Sequence, residues 1–132
     1  MIPRYSRKEM SSIWSDENKF KVWLDIEILA TEAQCKLGLV PVKSFQNIKK
    51  NSRFNVAKIL KIEEKVKHDV IAFLTNVGEN VGLDSRFIHL GMTSSDVIDT
   101  SLSVQMKQAG EIIMKDLFEV KKVLLTKAKK YK

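Results

Sequence analysis

Apolar residues recur at three- and four-residue steps along nearly the whole chain, and no run alternates with the period of two that a half-buried strand requires. The chain therefore reads as all-α: an N-terminal bundle of short helices followed by one long helix. Ser6 with Glu9 three residues on has the form of a capping box, predicting a short helix over residues 7 to about 14. Ser15-Asp16-Glu17 offers the next start. From there Phe20, Trp23, Ile26 or Glu27, Ala30, Ala33 and Leu37 line one face of a second helix, which Gly38 and Pro41 end.

A short helix is expected from Ser44 to about Lys50. Asn55 then caps a segment whose buried side is Val56, Ile59, Leu60, Ile62 and Val66, continuing as Val70, Phe73, Leu74 and Val77 up to Gly78 and Gly82. An unbroken helix over 55–80 would be long for a globular protein. A break is expected near Lys67-His68-Asp69, where Asp69 or a neighbour favours a new N-terminus.

The last helix has the clearest pattern. Ile98, Leu102, Met106, Ala109, Ile113, Leu117, Val120, Leu124, Ala128 and Tyr131 step by four, four and three, an eleven-residue period close to that of a straight helix. Over residues 94–131 it would run about 57 Å, against a radius of gyration of about 14 Å for a compact domain of this size. The stripe is therefore expected to project beyond its own bundle and to need partner helices. No glycine or proline follows Leu125, so the pattern reads as cut rather than finished. The only natural boundary is the Gly91 turn, giving a helical domain at 1–92 and the start of a second at 93–132.

Composition changes this picture little. At 132 residues, 44% hydrophobic and 30% charged, the chain has the composition of one globular domain. It carries no apolar run of membrane-spanning length and no apolar stretch behind its first residues. A single cysteine, Cys35, precludes an internal disulfide and points to a cytoplasmic setting. The formal net charge of +7 is unevenly placed: residues 43–67 hold eight basic side chains against two acids, and residues 121–132 hold six lysines and no acid. Such runs bind nucleic acid or form solvated helix faces. Here no aromatics alternate with the lysines as a base-stacking surface would require, and the solvated face is preferred.

Candidate chemistry is sparse. Two histidines and one cysteine, far apart in the chain, give no metal-ligand spacing, and no glycine loop suited to phosphate is present. Thr93-Ser94-Ser95-Asp96 opens the long helix. It can be a plain cap, or an anion site, because first-turn N–H groups lack intrahelical partners. His68 can be a surface imidazole or an acid–base group. His89, between Ile88 and Leu90, reads as structural. Arg4 and Tyr5 offer a guanidinium fork and a hydroxyl to a phosphate.

Taken together, Pro3-Arg4-Tyr5-Ser6, Trp14, Asp16-Glu17-Asn18, Lys67-His68-Asp69-Val70 and the run from His89 to Thr100 resemble, in order and spacing, the adenylosuccinate lyase family of the fumarase/aspartase superfamily. The resemblance covers all 132 residues and implies the N-terminal portion of such an enzyme. It implies an all-helical, cofactor-free, cytoplasmic homotetramer with active sites shared between subunits. It also implies cleavage of adenylosuccinate, and of the related succinyl-carboxamide ribotide, to fumarate plus the purine nucleotide product. Carried over by position, Arg4 and Tyr5 would hold the nucleotide phosphate. Lys67, His68 and Asp69 would line the substrate, with His68 assisting. Thr93, Ser94 and Ser95 would bind a succinyl carboxylate. Position 67 is often arginine in that family, so lysine here keeps the charge and loses the bidentate fork. The family's general-acid histidine and its serine loop have no counterpart in these residues. The rival expectation is a small basic helical module that binds or assembles through its long helix.

Overall fold

The computed structural model describes residues 2–132, apart from the side chain of Pro3. Among the described residues there are six α-helices, two 3-10 segments and no strand. A 3-10 turn at Pro3–Tyr5 leads into α1 (Lys8–Ile13), α2 (Asp16–Lys36), α3 (Val42–Asn51), α4 (Val56–Val66) and α5 (Asp69–Val81). A second 3-10 segment, Gly82–Phe87, precedes the long α6 (Ser94–Lys130).

Local chemistry sets most of these boundaries. The Ser15 hydroxyl accepts from the Asn18 N–H at 3.2 Å and caps α2. Past its end Gly38 takes φ +79, and Leu39 N–H returns to the Gln34 carbonyl at 3.0 Å. Asn55 caps α4 by accepting from Lys58 N–H at 2.9 Å. The expected break falls at Lys67, whose left-handed backbone (φ 55) ends α4; His68 then caps α5. Ser6, by contrast, is not a cap. α1 begins one residue later than a Ser6 box requires, Arg7 holds the N-cap position, and the Ser6 hydroxyl donates to the Ile2 carbonyl at 3.0 Å.

The core is aromatic. Phe20, Trp23 and Phe73 are almost completely buried and touch mutually, with ring centroids 5.3, 5.8 and 5.5 Å apart. Ile48, Ile59, Val70, Val77 and Val97 close around them. The buried side of α2 then turns polar, running Phe20, Trp23, Glu27, Thr31, while the expected Ala33 and Leu37 lie exposed. Leu60 and Val66 of α4 also face outward, because α5 covers only the Ile59 side.

α6 packs on the bundle with its first four to five turns, through Val97, Ser101, Gln105 and Ala109. The seam is held by polar bonds. Trp23 Nε1 donates to Ser101 Oγ at 2.8 Å, Gln105 Nε2 to the Ile13 carbonyl at 2.7 Å, and Asn18 Nδ2 to Gln108 Oε1 at 3.0 Å. The apolar stripe read from the sequence meets this seam at Ala109 and partly at Ile98. Leu102, Met106, Ile113, Leu117, Val120 and Leu124 stand about half exposed.

Candidate functional site

The residues with candidate chemistry occupy three places. The first is the α4–α5 junction. With Lys67 in the left-handed region, the chain turns within one residue and leaves His68 extended, at φ −151 and ψ 116. The Ile71 N–H points at His68 Nδ1 across 3.4 Å, and Asp69 Oδ1 lies 3.6 Å from the same nitrogen. Asp69 Oδ1 also accepts from the Val70 N–H at 2.7 Å. Both side chains are nearly half exposed, so the ring and the carboxylate stay open to solvent at the N-terminus of α5. Lys67 lines a shallow hollow with Leu60, Glu63 and Glu64.

The second is the start of α6. Gly91 takes φ +69, and Thr93 then opens the helix with the expected capping box: its N–H donates to Asp96 Oδ2 at 2.8 Å. Asp96 thus satisfies the backbone of the cap residue itself. The Thr93 and Ser95 side chains are exposed and Ser94 is half-buried. Cap and anion site are compatible here, since the box does not consume every first-turn donor.

The turn leading into this start is tied to α2 by Glu27, which the periodic face of α2 includes as an alternative to Ile26, and by Gln34, which it does not include. His89, another non-glycine at positive φ (63), brings Nδ1 to 2.6 Å from Glu27 Oε1. Gln34 Nε2 donates to the Leu90 carbonyl. Glu27 is 1% exposed, and burial pushes its carboxyl above the ordinary value against the opposing pull of the His89 hydrogen bond. The sequence carried one signal for Glu27: it falls four residues after Trp23, on the apolar face. Gln34 carried none.

The third place is the N-terminal turn. Tyr5 is 74% exposed, and the Arg4 guanidinium lies over its ring, 4.8 Å from the centroid. Arg7 fastens this turn to α6 through an ion pair with Asp116, which raises the guanidinium above its ordinary value. Tyr5, Arg7, Ile112 and Asp116 line one hollow. Asp116 lies 22 residues beyond Ser94, about 33 Å along the helix by its rise per residue. Tyr5 therefore shares its hollow with the middle of α6, about 27 to 33 Å along the helix from its start. Among the described residues no hydrogen bond or ion pair joins the three places, and no three His, Cys, Asp or Glu side chains cluster as a metal site would need.

The all-helical fold with one long helix, and exposed polar side chains at two helix starts, can be set beside known proteins. The chain belongs to the Lyase family, whose model matches residues 4–132. It is 49% identical over 132 residues to adenylosuccinate lyase of Staphylococcus saprophyticus and 46% identical over 132 residues to adenylosuccinate lyase of Bacillus subtilis. Each match takes in all of this chain and 31% of the relative, so the chain spans about a third of those proteins. In fold it is similar to the crystal structure of fumarate lyase from Mesorhizobium sp. BNC1, with a TM-score of 0.82 at 20% identity, over 91% of this chain and 30% of that one. No described helix is long and apolar enough to cross a membrane.

Proposed function

We propose that this chain is the N-terminal part of an adenylosuccinate lyase, a cytoplasmic enzyme that cleaves adenylosuccinate to AMP and fumarate. The same enzyme would cleave succinyl-aminoimidazole carboxamide ribotide to fumarate and the carboxamide ribotide. The observation that carries the reading is the pair of exposed helix starts, His68-Asp69 on α5 and Thr93-Ser94-Ser95 on α6, in a chain 46–49% identical to two proteins of that name. In this enzyme residues 1–92 are a helical domain and residues 93–132 open the central helical bundle.

The reaction is a β-elimination. A base takes the proton from the succinyl carbon beside a carboxylate, that carboxylate carries the resulting charge, and the C–N bond breaks as the leaving nitrogen gains a proton. The parts assigned here are binding and positioning. Thr93, Ser94 and Ser95 hold a succinyl carboxylate against α6, where N–H donors favour developing negative charge. Arg4 and Tyr5 take the nucleotide phosphate. Lys67 and Asp69 line the substrate, and His68 assists by contacting phosphate or relaying a proton. The principal acid and base lie outside these 132 residues, and no cofactor, metal or nucleic acid takes part.

Homotetramer assembly completes each site. Supporting it, Tyr5 lines a hollow about 27 to 33 Å along α6 from the start that Thr93 caps, and the distal apolar face of α6 is uncovered. The small binding-module reading has less support, since the lyase match runs through the basic segments as well as the helix starts. The test is the loss of adenylosuccinate absorbance. In the full-length enzyme His68→Ala should lower kcat by roughly 10²- to 10⁴-fold with unchanged helical content, and the 132-residue chain alone should show no turnover. Near-wild-type rates in the variant would remove His68 from the site, and turnover by the isolated chain would overturn the division of roles.

A further inference from the structure

Among the described residues, Glu27 is the one acid fully inside the fold. It is 1% exposed, Oε1 meets His89 Nδ1 at 2.6 Å, and Oε2 has no hydrogen-bond partner among the described residues. A carboxylate so placed is costly, and an apolar side chain could fill the same position without that cost. Its neighbours indicate what the acid does. The turn it grips is awkward: His89 and Gly91 both take positive φ, and within the turn Met92 N–H reaches only the His89 carbonyl, at 3.2 Å. Two bonds from α2 pin it, Glu27 to the His89 ring and Gln34 to the Leu90 carbonyl. Two residues beyond that carbonyl the chain passes Met92, which packs on the core, and enters the Thr93 cap.

We propose that Glu27 is a positioning residue: its buried carboxylate clamps the turn at 89–92, sets the Thr93-Ser94 start of α6 in register, and holds the His89 ring in the Nδ1–H form. The effect on substrate rests on Thr93 and Ser94 being carboxylate-binding groups; the clamp itself does not.

The test reads the imidazole nitrogens by ¹⁵N NMR on this chain at alkaline pH, with His68→Gln to assign the two rings. Free imidazole side chains favour the Nε2–H form, so the expected result for wild-type His89 is the opposite tautomer, with the proton on Nδ1. In Glu27→Leu the ring should revert to Nε2–H. Amide exchange at residues 90–94 should quicken on the order of tenfold or more, while α5 keeps its protection. A wild-type His89 in the Nε2–H form overturns the proposal, as does Glu27→Leu with unchanged exchange at 90–94; if that variant fails to fold, the wild-type tautomer decides. In the full-length enzyme, Glu27→Leu should raise KM for adenylosuccinate on the order of tenfold with a smaller change in kcat. Unchanged KM would overturn the link to substrate. A wild-type enzyme without lyase activity would instead sink the functional reading and leave the tautomer result standing.

Discussion

The two halves of α6 are one continuous helix with opposite surroundings. Its first half lies against α1 and α2 on a narrow seam of Val97, Ser101, Gln105 and Ala109, where bonds from Trp23, Asn18 and Gln105 fix the register. Beyond Asp116 the same helix shows Leu117, Phe118, Val120, Val123, Leu124 and Leu125, each more than half exposed. The half with an internal partner is the less apolar one. A polar bond holds a helix at one rotation and one height, whereas apolar area alone is tolerant of sliding. Bulk apolar surface is left on the half that the bundle does not cover, and exposed apolar patches of this kind commonly mark interaction sites.

The comparison can be broken most severely at the distal half. The double substitution Leu117→Lys and Leu124→Lys should weaken self-association on the order of 100-fold or more, because two buried leucines lost from an interface amount to several kcal/mol. Sedimentation equilibrium measures it, and helical content should stay near wild type. Association unchanged by the lysines would mean that another face carries assembly. A smaller effect sharpens the contrast in stability. Val97→Ala should cost about 2 kcal/mol in urea unfolding, since the site is fully enclosed. Leu124→Ala removes more side chain yet should stay within about 0.5 kcal/mol at concentrations where the chain is monomeric. Equal losses would abolish the distinction.

The smallest effect concerns the helix beneath the seam. Glu27 holds its proton more tightly in the fold than its ordinary value of 4.5. The folded state therefore binds more protons than the unfolded one as pH rises from that value through the raised one. Over that window this group's contribution to stability declines, and above it the contribution is flat. Glu27→Gln removes the dependence. Its melting temperature relative to wild type should climb in the variant's favour across the same window and then level off, as calorimetry at stepped pH would record. A difference independent of pH would refute the assignment.

Much of this was legible in the sequence because local chemistry settles it. Ser15, Asn55, Gly38 and the Thr93–Asp96 box mark helix ends by bonds made within a few residues. Lys67-His68-Asp69 showed as a break because the pattern there was too long for one helix. Periodicity was less reliable about direction. It gave a face for α6, but the bundle takes a neighbouring one, since Ser101 and Gln105 bind Trp23 and Ile13 and do not register as apolar. Ala33 and Leu37 were misplaced for the converse reason: the buried side of α2 continues through Glu27 and Thr31. The motif residues stood out by resemblance, whereas the clamp from Glu27 and Gln34 depends on contacts 62 and 56 residues apart, which no local pattern encodes.

The ion pair between Arg7 and Asp116 makes the chain a ruler, with the Arg4-Tyr5 turn at one mark and the Thr93 cap at the other. Such a unit has a consequence for stoichiometry. If a substrate needs the Arg4 end of one copy and the Thr93 end of another, an open string of copies always leaves one unmatched group at each terminus. Only a closed arrangement, in which the last copy meets the first, uses every group and gives as many complete sites as chains. The distance along one helix would thus favour ring closure over extension.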